Sequence, residues 1–435
     1  MVEAPRKPVS WRGRAGVAVG LLGLAAAVLG WRSTSTTSNG KAFRSPSAAE
    51  ARDQSLEASV APAESVAAPS PPREGARRVS IGRAIFFDPN LSVPPGTSCS
   101  SCHDPRRGFA GSNGSHLGVA AGSRPEHFAK RNTPSVLYLR FVRKFHLHWE
   151  EDKPLVDAYG GFFWDGRVDS LVELVKQPLL NPNEMNNGGA PHIRETVAAA
   201  AYAPDFREEF GPALDDPEAT LEAAGEAVSA YLLSPEMSPF TSKYDDYVRG
   251  RAQLSASEAR GLALFKDSSK GACSACHKLN DRSSDPAASL FTDYGFDAVG
   301  VPRNRALPTT RDASQFDLGL CERADAEYKA NTEEFCGRFR TPSLRNVAVR
   351  ESFMHNGAFS KLRDVVAFYA TRDIDPKRWY RYGPAFDDVP TKYRQNVNVD
   401  KAPYNRRQGQ TPPLDEGEID AVVAFLGTLT DAQMQ

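Results

Sequence analysis

The sequence lacks an excess of charge of either sign. Its 435 residues contain 53 lysines and arginines against 54 aspartates and glutamates, a formal net charge of −1. There is therefore no global basic field to recruit nucleic acid, and any charged partner must be met by a local patch. The length is sufficient for two domains of ordinary size.

Cysteine is scarce, at six residues, but four of the six belong to a Cys-x-x-Cys-His pattern that occurs twice. The two copies are Cys99, Cys102 and His103, and Cys273, Cys276 and His277. Two cysteines at this spacing can add to the two vinyl groups of one porphyrin, and the histidine can then bind the iron. A redox dithiol is an alternative, and a zinc site would need further Cys or His pairs at ligand spacing. The pattern predicts two covalently bound haem c groups.

The N-terminus carries Arg6, Lys7, Arg12 and Arg14 ahead of an apolar run over residues 15–31. This order is typical of an export signal, so residues 1–31 are interpreted as a signal peptide or an N-terminal anchor. The run is short for a membrane span, and both cleavage and retention as a membrane tether stay open. Covalent haem attachment is also extracytoplasmic in bacteria, so we expect the periplasm.

The last two cysteines, Cys321 and Cys336, stand fifteen residues apart with no histidine beside them. In an exported protein two spare cysteines most simply form a disulfide, which we predict here. A third metal site is the alternative.

Residues 32–76 are rich in Ser, Thr, Ala, Pro and Glu, a composition that predicts a flexible linker. Beyond it, residues 82–88 (GRAIFFD) match residues 261–267 (GLALFKD), and each copy precedes a haem motif. We predict two haem domains, an N-terminal one over residues 77–235 and a C-terminal one over residues 250–431. The prolines at positions 235 and 239 mark the join.

Strand alternation is scarce, whereas apolar residues recur at helical spacing over residues 362–369 and 419–426. Ser255 and Glu258 can form a capping box at the start of a helix that leads into the second haem loop. We therefore expect a mainly α fold, with two cytochrome c-like haem domains related by internal duplication and long irregular loops between the helices.

Further motifs resemble those of the bacterial di-haem cytochrome c peroxidases over roughly residues 77–431. They are Arg-Asn-Thr-Pro at 131–134, Phe-Trp-Asp-Gly-Arg at 163–167, Glu-Met at 184–185, Thr-Pro-Ser-Leu-Arg-Asn at 341–346 and Met-His-Asn-Gly at 354–357. The chain looks closest to the MauG-like branch, and residues 145–150 and 378–380 look most like its MbnH-like members.

The resemblance implies which residues complete the coordination of each haem iron. In the peroxidases a methionine fourteen residues beyond the His-x-Gly histidine binds the second iron, but fourteen beyond His355 stands Tyr369, as in the MauG-like branch. A phenolate stabilises ferric and higher oxidation states and lowers the reduction potential. The helical pattern alone favours a buried core residue at Tyr369, and only the resemblance makes it an iron ligand.

At the first haem, Arg124 stands where the peroxidases have a histidine that closes the distal side. The resemblance therefore implies an iron held by His103 alone, with an open position for peroxide. His116 and His127 lie in the same loop. We expect both to be solvated loop histidines. The alternative is that one of them binds the first iron after the loop rearranges.

Glu184 matches the family's distal glutamate, which moves a proton between the peroxide oxygens. Leu174 stands where the family usually has glutamine, so one distal hydrogen-bonding group is missing unless Gln177 replaces it. Trp164 matches the tryptophan that relays electrons between the two haems.

The resemblance also implies one calcium ion between the domains. Its ligands would be the Asn132 side chain and the backbone carbonyls of Arg350 and Ser352.

The leading hypothesis is a MauG-like enzyme that reacts with hydrogen peroxide and oxidises a protein donor, such as a partner protein with an oxidisable tryptophan. The first alternative is a cytochrome c peroxidase that takes electrons from a small cytochrome c or cupredoxin. The second is a non-catalytic electron-transfer cytochrome with both irons sealed.

Overall fold

The structure is a computed structural model that describes residues 75–148, 157–323 and 333–434. The expected signal or anchor, and the expected linker up to residue 74, lie outside these ranges, as do residues 149 and 150 of the MbnH-like segment. Helix α1 begins at Gly75, two residues before the expected start of the first domain. Within the described ranges, none of the helices has the length and apolar character needed to cross a membrane.

The fold is mainly helical. The α-helices are α1 (Gly75–Phe87), α2 (Cys99–Cys102), α3 (Leu171–Leu180), α4 (Ala190–Ala199), α5 (Ala203–Phe210), α6 (Pro217–Leu232), α7 (Lys243–Val248), α8 (Ala256–Lys266), α9 (Leu362–Thr371), α10 (Pro376–Trp379) and α11 (Glu416–Gly427). Short 3₁₀-helices lie at Pro89–Leu91, Pro105–Arg107, Leu139–Phe141, Gly211–Asp215, Pro235–Met237, Cys273–Ala275, Pro286–Ala288, Pro308–Thr310, Leu320–Glu322, Val347–Val349, Thr391–Asn396 and Ala432–Met434.

The described strands form two small antiparallel pairs. β1 (His146–His148) pairs with β2 (Asp157–Tyr159), and β3 (Phe296–Asp297) pairs with β4 (Phe339–Arg340). Strands this short show no readable alternation in the sequence, so they were not predicted.

The first hydrophobic core lies mainly among α1, α3, α4 and α6. Ile85 and Phe86 of α1 pack there with Ala227 and Val228 of α6. The two helices touch at Gly82, where a Cβ atom would lie 1.9 Å from the carbonyl oxygen of Ala227. Glycine is therefore required for this approach.

The second core repeats this packing with α8 and α11, and α9 joins them. Phe265 of α8 packs with Phe368 of α9 and Phe425 of α11. At Gly261 a Cβ atom would lie 2.0 Å from the carbonyl oxygen of Ala421. Gly82 and Gly261 occupy the same place in the repeated segment, which supports the internal duplication inferred from the sequence.

The start of α8 is fixed by hydrogen bonds between neighbouring residues. At the start of α8, the Glu258 backbone N–H donates to Ser255 Oγ at 3.3 Å, and the Ser255 N–H donates to Glu258 Oε2 at 2.6 Å. The predicted capping box is therefore present. The helical periodicity of residues 362–369 and 419–426 falls within α9 and α11.

Polar contacts join the two cores. Asp431, close to the C-terminus, accepts hydrogen bonds from the Tyr138 hydroxyl and from Asn346 Nδ2, both at 2.6 Å. Tyr138 belongs to the first core, and Asn346 precedes the 3₁₀-helix that packs on the second. Both cavities described below are thus held within one compact unit.

Candidate haem sites

The first Cys-x-x-Cys-His motif forms a single helical turn. Cys99 and Cys102 lie in α2, and the His103 backbone N–H closes the turn on the carbonyl oxygen of Cys99 at 2.8 Å. The turn brings all three side chains to the wall of one cavity. Burial raises the pKa of both thiols to about 12. The buried thiols therefore lack the thiolate character that a reactive redox cysteine needs.

The His103 ring is held by its own backbone surroundings. Its Nδ1 lies 3.0 Å from the carbonyl oxygen of Phe109, and burial lowers the pKa of the imidazole to about 4. The ring is therefore neutral at neutral pH, with its proton on Nδ1, and its Nε2 lone pair is available to a metal.

The second motif begins with a 3₁₀-helix instead of an α-helical turn, but its histidine makes the same hydrogen bonds. The His277 backbone N–H donates to the carbonyl oxygen of Cys273 at 2.9 Å, and His277 Nδ1 lies 2.9 Å from the carbonyl oxygen of Phe291. Burial again lowers the histidine pKa to about 4 and raises the pKa of the Cys273 and Cys276 thiols to about 12. Two thiols and one neutral histidine at a cavity wall fit a haem c in each half.

Among the residues that the structure describes, no second histidine lines the first cavity. Among the described residues that line it, His103 is the single histidine, and Glu184, Leu174 and Arg167 are present. His116 is exposed, and His127 turns its Nδ1 to the carbonyl oxygen of Pro125 at 2.9 Å. Neither contributes to this wall as the chain is folded.

Arg124 is directed away from this cavity. Its Nη2 donates to the carbonyl oxygen of Pro182 at 2.8 Å, and the backbone N–H of Ser123 donates to the carbonyl oxygen of Glu184 at 2.7 Å. The loop at the position of the peroxidases' distal histidine instead supports the backbone of Glu184.

Glu184 is largely shielded from water. Asn181 Nδ2 donates to Glu184 Oε1 at 3.0 Å. Burial raises the pKa of Glu184, and the charge of Arg167 acts in the opposite direction. A carboxyl group with a raised pKa beside a cation suits proton transfer.

Gln177 does not replace the missing distal glutamine. Its Oε1 accepts a hydrogen bond from Arg167 Nε at 2.8 Å, and Leu174 lines the cavity in its place. Arg167 also lies over the Phe163 ring at 3.5 Å and pairs with Asp165 at 2.9 Å. Arg167 was named only as part of a family motif, and its position as a cation in this wall was missed.

Tyr369 lines the second cavity with His277. It lies on α9, one residue after the buried Phe368. Burial raises the pKa of the Tyr369 hydroxyl, and the neighbouring Tyr404 side chain acts in the opposite direction. A buried phenol in the cavity that also carries His277 is what an iron ligand requires, but the core role that the helical pattern allowed predicts burial as well.

Trp164 lines both cavities, as does Arg340. The indole Nε1 donates to the carbonyl oxygen of Asn132 at 2.8 Å, and Trp164 is 7% exposed. The Arg340 backbone N–H in turn donates to the carbonyl oxygen of Trp164 at 2.8 Å. The predicted relay tryptophan is thus fixed between the cavities, and Arg340 is a shared wall residue that the sequence did not indicate.

The residues expected to bind calcium contact each other directly. Asn132 Oδ1 accepts from Arg350 Nη2 at 3.3 Å and from Ser352 Oγ at 3.1 Å, while Asn132 Nδ2 donates to the carbonyl oxygen of Ser352 at 3.1 Å. Calcium needs such oxygens turned toward it, and a neighbouring guanidinium would repel it. These side chains do not fit calcium as they lie, so the ion stays a prediction from resemblance.

Cys321 and Cys336 are joined by a disulfide. In the described ranges no group of three or more His, Cys, Asp or Glu side chains is arranged to hold a metal ion. The structure therefore gives no support to the third metal site that the sequence had left open.

The comparisons with known proteins agree with this geometry. The family model for di-haem cytochrome c peroxidases matches residues 76–253. The methylamine utilization protein MauG of Paracoccus denitrificans is 35% identical over 373 residues, which span 82% of this chain and 89% of that protein. The chain belongs to the di-haem cytochrome c peroxidase family. It is therefore an oxidoreductase of the di-haem peroxidase type, and membership implies two haem groups.

Solved structures of this family have the same fold. The diheme peroxidase BthA of Burkholderia thailandensis matches with a TM-score of 0.78 at 48% identity, over 82% of this chain and 87% of that one. A MauG-like protein associated with microbial copper homeostasis matches with a TM-score of 0.56 at 26% identity, over 82% and 90%. The predicted helical fold class and the MauG-like resemblance are confirmed.

Proposed function

We propose that this di-haem peroxidase reacts with hydrogen peroxide in the first cavity and uses the oxidising equivalents to oxidise a protein donor. The observation that carries the proposal is a difference between two cavities of the same construction. Glu184 lines the first cavity, and Tyr369 lines the second.

Each cavity would hold one covalently attached haem. Cys99 and Cys102 would form the two thioether bonds of the first, and Cys273 and Cys276 those of the second. When bound, the haems supply irons that change oxidation state, and His103 and His277 present Nε2 to them.

Glu184 serves as the proton carrier in the first cavity. Its carboxylate accepts a proton from one oxygen of peroxide and delivers it to the other, so that water leaves instead of the more basic hydroxide. Asn181 fixes one carboxylate oxygen, and the charge of Arg167 favours the ionised form. With no second histidine among the described residues of this wall, peroxide has access without a prior reduction step.

Trp164 transfers oxidising equivalents between the cavities. An indole that lines both walls divides one long electron-transfer step into two shorter ones. Its hydrogen bond to the carbonyl oxygen of Asn132 fixes the plane of the ring.

Tyr369 completes the second site. Its phenolate would hold the second iron together with His277 and lower the reduction potential, which would make this site a store of oxidising equivalents rather than an electron acceptor. The donor is then oxidised at the protein surface, and a partner protein with an oxidisable tryptophan is the proposed class of substrate. The export signal expected in residues 1–31 would direct the reaction to the periplasm.

Replacement of Tyr369 tests this proposal. Tyr369→Phe should remove the phenolate signature from the spectrum of the second haem and raise its reduction potential. Tyr244→Phe, which removes another buried hydroxyl of the second core, serves as the control. If Tyr369→Phe left both spectrum and potential unchanged, the proposal would be wrong.

The alternative is turnover with a small cytochrome c or cupredoxin, an activity that is consistent with the family model that matches residues 76–253. It requires a second haem that accepts electrons readily. Steady reduction of peroxide by a reduced small cytochrome, at rates typical of dedicated peroxidases, would establish this alternative over the MauG-like one.

A further inference from the structure

A second tyrosine lies beside Tyr369 in the second cavity. Tyr404 lines the same wall, and its ring stacks on the Tyr369 ring with centroids 5.7 Å apart and planes at 29°. Tyr404 is 4% exposed. Its hydroxyl has no hydrogen-bond partner of normal geometry in the part of the chain that the structure describes.

An unpartnered buried hydroxyl is costly and rare, so such a group points to a partner that is acquired later. Tyr369 is the neighbour able to become that partner. As a neutral phenol its oxygen is a modest acceptor, but on binding iron it would lose its proton to solvent and become an anionic acceptor. Hydrogen bonds to charged acceptors are shorter and stronger than neutral ones.

Tyr404 is also held firmly in this position. The Arg372 guanidinium lies 3.9 Å from the centroid of the Tyr404 ring. Arg372 is buried, and it donates to the carbonyl oxygens of Val299 at 2.7 Å and Asn398 at 2.5 Å. Arg372 directly follows α9 and stands three residues beyond Tyr369. It thus ties the segment that carries Tyr404 to the end of α9.

We propose that Tyr404 is a positioning residue of the second haem site, whose hydroxyl donates a hydrogen bond to the iron-bound phenolate of Tyr369. This proposal rests on the proposed function, because it assumes that Tyr369 is the ligand. The hydrogen bond withdraws electron density from the phenolate, weakens its donation to the iron and raises the reduction potential above that of an unassisted phenolate.

The test uses the holoprotein and the variants Tyr404→Phe and Tyr369→Phe. Tyr404→Phe should keep the phenolate signature but shift its charge-transfer band and lower the reduction potential of the second haem. In resonance Raman spectra, the phenolate modes of the wild-type protein should shift between H₂O and D₂O, and that shift should be lost in Tyr404→Phe. Tyr380→Phe is the matched control, since its buried hydroxyl bonds the carbonyl oxygen of Gly300 instead, and it should change neither readout.

The outcomes separate the two proposals. If Tyr369→Phe removes the phenolate signature but Tyr404→Phe leaves the band, the potential and the isotope shift unchanged, the role of Tyr404 is wrong and the proposed function stands. If Tyr369→Phe has no spectral effect, the proposed function fails. Loss of the signature in Tyr404→Phe alone would make Tyr404 the ligand and overturn both.

Discussion

His103 and His277 have equivalent surroundings, so any chemical difference between the two sites arises from the side chains across each cavity. Each histidine turns Nδ1 to the carbonyl oxygen of a phenylalanine, and burial lowers both pKa values to about 4. The sequence predicted these histidines because the Cys-x-x-Cys-His pattern is local. It could not indicate Tyr404, because folding alone brings that residue to Tyr369.

The rate of the reaction with peroxide should depend on pH through Glu184. Burial raises the pKa of this carboxyl above the ordinary value for glutamate, about 4.3. The group must be ionised to accept a proton, so the rate with peroxide should fall as the pH decreases through this raised pKa. Glu184→Gln should slow the reaction by about 10² to 10⁴ and abolish that titration.

Stopped-flow mixing with peroxide across the pH range is the measurement. Glu173→Gln, on the exposed side of α3, is the control and should behave as the wild-type protein does. A Glu184→Gln variant that kept the full rate and the same pH profile would exclude a proton-carrying role.

For Trp164 the expected defect lies in transfer between the haems. Trp164→Phe should still react with peroxide at the first haem, but oxidation of the second haem should be slower by roughly tenfold or more, about 1.4 kcal/mol in barrier. Rapid-scan spectra resolve the two events. Trp379→Phe, which lines neither cavity, is the control. Unchanged transfer in Trp164→Phe would place the route elsewhere.

Among the elements, α8, α9 and α11 were anticipated from local patterns, namely the capping box at Ser255 and the helical spacing of apolar residues. The strands β1 to β4, each two or three residues long, were not. Their pairing depends on contacts between distant segments, and the sequence does not display such contacts. The predicted domain limits stay predictions: the buried residues of the first core lie at positions up to 237 with Met434 added, and those of the second core lie at positions 244–429.

The close approach of α8 and α11 gives a test at this scale. Gly261→Ala places a Cβ atom 2.0 Å from the carbonyl oxygen of Ala421, so the helices must separate. We expect a loss of about 1–3 kcal/mol in unfolding free energy, measured by denaturant titration. Gly427→Ala, at the end of α11 with open space around it, should be neutral or slightly stabilising. Equal effects of the two changes would contradict the described packing.

At the scale of the whole molecule, a buried ion pair helps to join the halves. Arg345 and Asp245 are fully buried and their side chains meet at 3.0 Å. The Arg345 guanidinium also lies 5.0 Å from the ring centroid of Tyr138 and 4.5 Å from that of Phe240. Both rings pack in the first core, so this residue links the two cores.

Asp245→Ala should leave the Arg345 charge buried without its partner and cost about 3–5 kcal/mol of unfolding free energy. Its neighbour Asp246 pairs with Arg251 at the exposed surface, and Asp246→Ala should change stability by about 0.5 kcal/mol or less. Thermal or denaturant unfolding of both variants is the measurement. A small effect of Asp245→Ala would show that the pair does not hold the halves together.

In the proposed function, one haem site is open and reactive, while the other is closed by tyrosine and stores oxidising equivalents. Optical and EPR spectra of the resting ferric protein, before and after one equivalent of peroxide, test it most directly. The account predicts one open site with a single histidine, one His/Tyr site, and changes at both haems after peroxide. Methionine or bis-histidine ligation at both haems, or a resting spectrum that peroxide does not perturb, would contradict it.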